Sequence, residues 1–284
     1  MASTDSSRYY LPAPSHWPVV GSSALFLLAF GTVLLLNDSG SGWWPLAGGA
    51  GLLTYMLFGW FGTVIRESEA GKYNSQVDLS FRWAMGWFIF SEVMFFAAFF
   101  GALFYMRVLS VPWLGEGDTG ALLWQNFEPG WPVSGPGLTE SFTPMGALGI
   151  PAINTLILLF SGATVTWAHW GLKLGERRQL KAGLFLTIVL GCLFLALQVY
   201  EYAHAYGELG LTLGTGAYGA TFFLLTGFHG LHVSLGTIML IVILFRALRG
   251  HFKPELHFGF EAVSWYWHFV DVVWLLLFVL VYWL

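Results

Sequence analysis

The sequence predicts an all-α membrane protein with seven transmembrane helices, and three observations support this fold class. Of the 284 residues, 56% are hydrophobic and only 10% are charged, a composition too apolar for a soluble domain. Seven apolar stretches each reach about 20 residues or more, the length that a helix needs to cross a hydrocarbon core roughly 30 Å thick. They are far longer than the strands of a membrane barrel, about 9–11 residues, so helices are the structure that satisfies the backbone hydrogen bonds in lipid.

In chain order, we place the seven helices at about 17–36, 46–65, 83–106, 147–170, 182–203, 217–245 and 262–284. The first is interpreted as a helix and not as a signal peptide, because it follows an almost uncharged leader and lacks a clear small-residue cleavage site. The sixth exceeds the length of a perpendicular crossing and is expected to tilt or to project from the bilayer. The connection 107–146 is rich in Gly, Pro and Trp, which predicts an irregular cap. No internal repeat is evident, so we expect one integral-membrane domain over residues 1–284 and disfavour an inverted-repeat transporter.

The basic residues predict the orientation of the helices. Eleven of the twelve lie on one side once the helices are placed, and Arg107 is the exception. By the positive-inside rule the N-terminus is expected in the cytoplasm, or its organellar equivalent, and the C-terminus outside. The eleven are Arg8, Arg66, Lys72, Arg82, Lys173, Arg177, Arg178, Lys181, Arg246, Arg249 and Lys253.

Composition also excludes several classes of function. The net charge is −4 and the basic residues are scattered between apolar runs, so nucleic acid is not an expected partner. The single cysteine, Cys192, permits neither a disulfide nor a thiolate metal cluster within the chain. The sequence contains no phosphate-binding loop or hydrolase triad, so catalysis by this chain alone is not expected.

Ionisable side chains within the apolar runs are the strongest functional indication in this sequence. A charge in the hydrocarbon costs several kcal/mol unless it is paired, neutralised or directed to a polar interior, so such residues indicate a packed functional bundle. Glu92 is about nine residues into the third helix, roughly 13 Å deep. Two roles stay open for it, a proton-carrying carboxyl and a structural hydrogen bond between helices. The set comprises Glu92, His229, His232, His268 and Asp271.

Two pairs in this set share a helical spacing. His229 and His232 are three residues apart, and His268 and Asp271 repeat that spacing on the seventh helix. Two imidazoles and a carboxylate suit iron, zinc or copper. The alternative, which we favour, is hydrogen bonding between helices, because interleaved glycines permit close helix contact. We therefore predict no metal site in this set.

A third group is predicted to lie at the cytoplasmic edge and to contact lipid. Basic residues beside aromatic ones at headgroup depth can hold anionic lipids. The alternative is that they are ordinary positive-inside residues whose side chains extend to the interface. The group comprises Trp60, Phe61, Arg66, Glu67, Arg246 and His257. Near the outer end of the fifth helix, Glu201 and its polar neighbours are expected to be interfacial, without acid–base geometry.

Six motifs resemble those of subunit III of the haem-copper cytochrome c oxidases, over nearly the whole chain and in family order. They are VIRESE (64–69), SEVMFF (91–96), INTLILLFSGATVTWAH (153–169), LQVYEY (197–202), TGFHGLHVSLGT (226–237) and FGFEAVSWYWHFVDVVW (258–274). The resemblance implies a seven-helix accessory subunit of a proton-pumping oxidase, without haem or copper of its own. It further implies a V-shaped lipid cleft between the first two helices and the other five.

By the same resemblance, Glu92 corresponds to the family's reactive buried carboxyl, with His229 as its expected neighbour. Arg66, Arg246 and His257 correspond to positions that contact lipid headgroups. The implied partners are subunit I, in direct contact, subunit II, anionic phospholipids and, through the complex only, cytochrome c. Two departures are the Trp170 that follows His169, where many members have a second His, and the absence of a closing Gly after Leu284.

Three other interpretations stay open at this point. The first is the corresponding subunit of a quinol oxidase, which is disfavoured because those subunits lack the first two helices. The second is an independent metal-binding membrane enzyme, and the third is a proton-coupled transporter that uses Glu92. For the membrane, we expect a bacterial inner (cell) membrane and rank the mitochondrial inner membrane second.

Overall fold

The computed structural model describes residues 10–125, 127–138 and 141–284, and its helices agree with the predicted fold class. Seven helices are long and apolar enough to span a membrane within these ranges. The first three are α1 (Trp17–Leu36), α2 (Trp43–Glu69) and α3 (Ser75–Phe104), and a π-helical turn at Tyr105–Ser110 follows α3. Arg8, which entered the orientation argument, lies outside the described residues.

The predicted irregular cap contains two short helices, α4 (Val111–Gly115) and α5 (Gly117–Leu122). The remaining long helices are α6 (Ile150–Lys173), α7 (Arg177–Gly207), α8 (Gly216–Leu248) and α9 (Phe258–Leu277), which ends in a π-helical turn at Phe278–Trp283. Most of the long helices extend beyond the predicted apolar runs. Polar residues end an apolar run, but they do not end the backbone hydrogen-bonding of a helix.

The chain divides into two compact units, Met1–Trp83 and Ala84–Leu284. In the first unit, α1 and α2 pack through glycines. A Cβ atom placed on Gly31 would lie 2.6 Å from the backbone nitrogen of Leu46, and one placed on Gly49 would lie 2.8 Å from that of Leu28. Small residues therefore allow the two backbones to approach closely, as is typical of helix pairs in lipid. The predicted single domain and V-shaped cleft stay predictions.

In the second unit, Trp267 of α9 occupies the centre of the helix bundle. The side chain is fully buried, and its indole nitrogen donates a hydrogen bond to Ser161 Oγ on α6 at 2.9 Å. Gly191 of α7 and Gly236 of α8 face the indole ring, since a Cβ on either would lie 2.8 Å from a ring carbon. One side chain thus fixes the spacing of α6, α7, α8 and α9, the helices that carry most of the polar residues described below.

Candidate functional site

The predicted ionisable residues form two separate carboxyl–imidazole pairs in the second unit, and the first joins α3 to α8. Oε2 of Glu92 lies 3.0 Å from Nε2 of His232. The carboxyl is 21% exposed and the imidazole 10%, and the ring of Phe96 packs against the imidazole with 4.9 Å between centroids. Glu92 therefore has the histidine partner on the sixth membrane helix that an interior carboxyl requires.

The other ring nitrogen of His232 decides how this pair holds its proton. Nδ1 lies 2.6 Å from the carbonyl oxygen of Phe228, and a carbonyl can only accept, so Nδ1 carries a hydrogen. Nε2 then either accepts a proton from a neutral Glu92 or donates one to an ionised Glu92. In both states one proton lies between the carboxyl and the imidazole.

The prediction that His229 is the neighbour of Glu92 was wrong. Nε2 of His229 donates to the carbonyl oxygen of Val270 at 3.2 Å, and the ring packs on Trp274 with 5.1 Å between centroids. His229 is 1% exposed and points to α9, whereas His232 faces α3. Three residues advance a helix by about 300°, so the two imidazoles point about 60° apart and contact different neighbours.

The second pair joins α9 to α6. Nδ1 of His268 lies 3.5 Å from Oδ2 of Asp271, and its Nε2 lies 3.2 Å from the hydroxyl oxygen of Thr166. That hydroxyl donates to the carbonyl of Gly162 at 2.9 Å, so the hydroxyl accepts the hydrogen of His268 Nε2. Nδ1 therefore faces Asp271, again with a single proton to share between imidazole and carboxyl.

A groove of about 520 Å³ lies beside the second pair. Its walls come from α6 and α9 and are mostly apolar, with Trp167 and Trp170 along one side. Asp271 is 7% exposed, and its approach to α6 requires a glycine, because a Cβ on Gly162 would lie 2.5 Å from Oδ2. The groove brings an acid–base pair to the surface of an otherwise apolar face.

The four residues considered for a metal do not converge. His229 uses its Nε2 on a backbone carbonyl, His232 contacts Glu92, and His268 contacts Asp271 and Thr166. Hydrogen bonding between helices, the alternative that we favoured, agrees with these contacts.

A different group of potential ligands lies where α6 ends and α9 begins. Nε2 of His169, Nε2 of His257 and Oε1 of Glu261 lie 3.3–3.6 Å from one another. Among the residues that the structure describes, this is the group of three or more His, Cys, Asp or Glu whose candidate ligand atoms all lie within 4.8 Å of one another. His169 and Glu261 were not predicted as site residues, although both lie in the quoted motifs. The spacing of four between His257 and Glu261, which puts both on one helical face, was the local signal for part of this group.

Of the predicted lipid residues on α2, Trp60, Phe61 and Arg66 are exposed, whereas Glu67 makes contacts within the protein. Trp60 and Phe61 are 50% and 61% exposed, and Arg66, also exposed, donates to Thr63 Oγ1 at 3.0 Å. Their apolar and cationic groups agree with a lipid-facing surface. Lipid binding itself stays a prediction.

Glu67 makes protein contacts that sequence analysis did not predict. It accepts hydrogen bonds from the phenols of Tyr10 at 2.9 Å and Tyr73 at 2.8 Å. Burial and the bond to Glu67 raise the pKa of Tyr73 above its ordinary value, so this phenol keeps its hydrogen at neutral pH. Glu67 thereby ties the segments before α1 and after α2 to the end of α2.

Arg246 and His257, the other two predicted lipid residues, are at the same end of the second unit. The guanidinium carbon of Arg246 lies 4.6 Å from the ring centroid of Phe252, a cation–π contact. His257 is not presented to a headgroup in this structure, because its side chain is 9% exposed and both ring nitrogens face protein groups, Lys253 O and Glu261. The expected headgroup contact of His257 stays a prediction.

Glu201, which was expected near the outer membrane interface, is fully buried within the protein. Its Oε1 accepts a hydrogen bond from Tyr282 at 2.6 Å. The two residues are 81 positions apart, and the contact depends on the packing of α7 against the last helix. Burial of Glu201 has no local signal in the sequence, because a polar residue near the end of an apolar run is more often exposed.

In the part of the chain that the structure describes, seven membrane-length helices and two carboxyl–imidazole pairs on otherwise apolar helices define a multi-pass membrane protein with proton-binding groups. Comparison with known families identifies it further. Residues 7–284 match the family described as Cytochrome c oxidase subunit III. The chain belongs to this family, as the motifs predicted, and is therefore a subunit of an oxidoreductase complex.

Individual relatives cover the whole chain or nearly all of it. Cytochrome c oxidase subunit 3 of Papio hamadryas is 41% identical over 97% of this chain and 96% of its own length. The protein of the same name from Marchantia polymorpha is 41% identical over 100% of this chain and 98% of its own length. The protein of the same name from Latimeria chalumnae is 41% identical over 97% of this chain and 96% of its own length.

Proposed function

We propose that the chain is the accessory subunit III of a proton-pumping cytochrome c oxidase, where it stabilises the catalytic subunit, supports proton uptake and binds phospholipid. The observation that carries the proton role is the Glu92–His232 pair. Its proton moves between two groups without breaking the bond to Phe228, and the carboxyl is 21% exposed. A partly exposed carboxyl that shares one proton with an imidazole suits a proton-buffering element beside an uptake pathway.

The redox chemistry is assigned to the partner subunits. The resemblance implies that haem and copper belong to them, and the polar residues of this chain agree, since the interior histidines are engaged with carboxyls, a hydroxyl and backbone carbonyls. We infer direct contact with subunit I, membership of one complex with subunit II, and access to cytochrome c only through that complex.

For the membrane, the relatives change the order of our expectations. Papio hamadryas, Marchantia polymorpha and Latimeria chalumnae are eukaryotes, whose oxidase is in the mitochondrial inner membrane. The preference for a bacterial cell membrane receives no support from these relatives. We therefore infer the mitochondrial inner membrane, which sequence analysis had ranked second.

The proposal is tested with the whole oxidase in vesicles, carrying this chain or its Glu92→Gln variant. We expect normal electron transfer at the start of turnover, slower proton uptake and faster loss of activity during turnover. Glu208→Gln is the matched control, because it removes an exposed carboxyl at the end of α7 and is expected to change none of these rates. Equal proton uptake and equal durability in the Glu92→Gln and wild-type complexes would contradict the proton role.

The stabilising role is tested separately, by removing the whole chain from the complex. We expect an oxidase that retains its haems and loses activity sooner during turnover than the complete complex. An equally durable complex without this chain would refute the accessory role, whatever the result for Glu92.

A further inference from the structure

The side chains of His169, His257 and Glu261 place three potential metal ligands at one point, where α6 ends and α9 begins. Nε2 of His257 lies 3.4 Å from Nε2 of His169 and 3.3 Å from Oε1 of Glu261. The third separation, from His169 Nε2 to Glu261 Oε1, is 3.6 Å. The cluster is separate from the Glu92 pair and from the His268 pair, and the proposed function does not use it.

These separations match the ligand spacing of a tetrahedral zinc site. Zinc lies about 2.0–2.2 Å from histidine nitrogen and carboxylate oxygen, so two ligand atoms at the corners of a tetrahedron are about 3.4 Å apart. All three observed distances, 3.3, 3.4 and 3.6 Å, are within about 0.2 Å of that value. Three protein ligands leave the fourth corner for water or another oxygen donor.

The tautomer of His257 is the one that a metal ligand needs. Its Nδ1 lies 3.2 Å from the carbonyl oxygen of Lys253, which can only accept, so Nδ1 carries the hydrogen. In the neutral ring the lone pair is then on Nε2, directed to the point that His169 and Glu261 share. A backbone carbonyl that fixes the other nitrogen of a ligating histidine is the usual outer-shell partner in metal sites.

The local fold presents these ligands with little freedom. His257 immediately precedes α9 and Glu261 lies in its first turn, a spacing of four that puts both side chains on one face. The side chains of His257, Glu261 and His169 are 9%, 12% and 19% exposed, so the cluster is largely shielded yet reachable. A cation is favourable here, because a lone pair and a carboxylate oxygen at 3.3 Å repel unless a positive charge or a proton lies between them.

We propose that His169, His257 and Glu261 form a binding site for a divalent metal of the zinc class, which links the end of α6 to the start of α9. Two imidazoles and one carboxylate are the donor set that such metals accept. The expectation that this chain lacks haem and copper is unaffected. The proposal goes beyond the proposed function and survives if Glu92 has no part in proton uptake.

The test measures zinc in the purified whole oxidase. The complex is stripped with a chelator, dialysed against buffered Zn²⁺, freed of loose metal by gel filtration and measured by elemental analysis. Wild type is expected to retain one zinc per complex more than Glu261→Gln or His169→Ala, with affinity lowered at least about tenfold in either variant. X-ray absorption at the zinc edge is expected to show histidine ligands that the variants lose.

The matched control is His204→Ala. His204 and Glu208 form the same type of pair, four residues apart with 3.2 Å between Nδ1 and Oε2, but they are not part of a group of three. This variant is expected to retain as much zinc as wild type. Glu261→Gln keeps the size of the side chain, so it covers the case in which His169→Ala fails to assemble.

Two outcomes would overturn the proposal. One is equal zinc content and affinity in wild type, Glu261→Gln and His169→Ala, because the three side chains would then hold no metal. The other is a zinc edge spectrum without imidazole scattering in wild type. Proton sharing within the cluster would then be its role.

Discussion

His232 holds Glu92 at 3.0 Å, although the two residues are 140 positions apart and belong to different helices. The contact depends on a second one, because the hydrogen on Nδ1 of His232 is committed to the carbonyl of Phe228. Nε2 is consequently left as the atom that exchanges a proton with Glu92. One backbone carbonyl thus decides which ring nitrogen of His232 shares a proton with Glu92.

The first prediction compares two substitutions of Glu92. In Glu92→Gln the amide can donate to Nε2 of His232, so assembly is expected to be close to normal. In Glu92→Leu the nitrogen loses its partner, and an unsatisfied polar atom in the interior costs about 1–3 kcal/mol. The measurement is the yield and the thermal inactivation of the assembled oxidase.

Glu92→Leu and Glu92→Gln can each contradict the structural role of this hydrogen bond. Equal stability of Glu92→Leu and wild type would show that the hydrogen bond has no structural part. If Glu92→Gln assembles as poorly as Glu92→Leu, the charge or the proton is required for assembly, and the hydrogen bond alone is not sufficient.

The contact between Glu92 and His232, and not His229, shows which features of this protein could be predicted from its sequence. Seven helices could be predicted, because each requires only an apolar run of sufficient length. The histidine partner of Glu92 could not be predicted. His229 and His232 both lie in the apolar run of α8, and the rotation of α8 about its own axis relative to α3 decides which of the two contacts α3. In the same way, the spacing of His257 and Glu261 is visible locally, whereas His169 is 88 positions from His257 and joins them only through packing.

The second prediction concerns the centre of the bundle. Trp267→Ala is expected to destabilise the second unit by about 3–5 kcal/mol, because it removes a fully buried indole and its hydrogen bond to Ser161. Trp265→Ala is the matched control on the same helix, since Trp265 is 37% exposed. The denaturation midpoint of the detergent-solubilised complex measures the difference, and equal losses for the two variants would contradict the central role of Trp267.

The third prediction concerns the close approach of Asp271 to α6. In Gly162→Ala the new methyl group would lie 2.5 Å from Oδ2 of Asp271, so α6 and α9 must separate or the His268–Asp271 pair must shift. Such overpacking costs about 1–3 kcal/mol. Gly230→Ala is the control, because outside its chain neighbours and the nearby backbone of its own helix no atom lies within 4 Å of its added Cβ, and a helical alanine there is expected to stabilise by roughly 0.5–1 kcal/mol. We expect the thermal midpoint to fall in Gly162→Ala and to rise in Gly230→Ala. An unchanged thermal midpoint in Gly162→Ala would refute the close packing of Asp271 against α6.

The fourth prediction concerns pH and Glu67. The pKa of Tyr73 is raised by burial and by the bond to Glu67, so its stabilising contribution is fully present below about pH 10, the ordinary phenol value, and falls as the pH rises toward the higher folded value. Tyr73→Phe is expected to lower stability by about 0.5–1.5 kcal/mol at neutral pH and to remove this part of the alkaline loss. Tyr55→Phe is the control, because Tyr55 is 58% exposed on α2. Identical alkaline profiles for Tyr73→Phe and wild type would contradict the assignment.

The last prediction concerns lipid at the ends of α2 and α8. Arg66 is exposed about one and a half helical turns beyond the exposed rings of Trp60 and Phe61, and Arg246 lies in the last turn of α8. Each basic residue near an anionic surface contributes about 1 kcal/mol, so replacing both arginines with alanine is expected to weaken lipid retention about fivefold at each helix end. His257 is left unchanged, because its ring nitrogens face Lys253 and Glu261.

The measurement is the phospholipid content of the purified oxidase, together with its activity over successive turnovers. Lys181→Ala with Lys253→Ala is the control, since it removes two basic residues on the same predicted side of the membrane without changing Arg66 or Arg246. We expect the arginine variant to lose bound anionic lipid and then to lose activity progressively during turnover, because lipid supports the complex and not the redox step itself. Unchanged lipid content in the arginine variant would refute lipid binding at both helix ends. Lost lipid with undiminished durability would show that the lipid is bound there without supporting function.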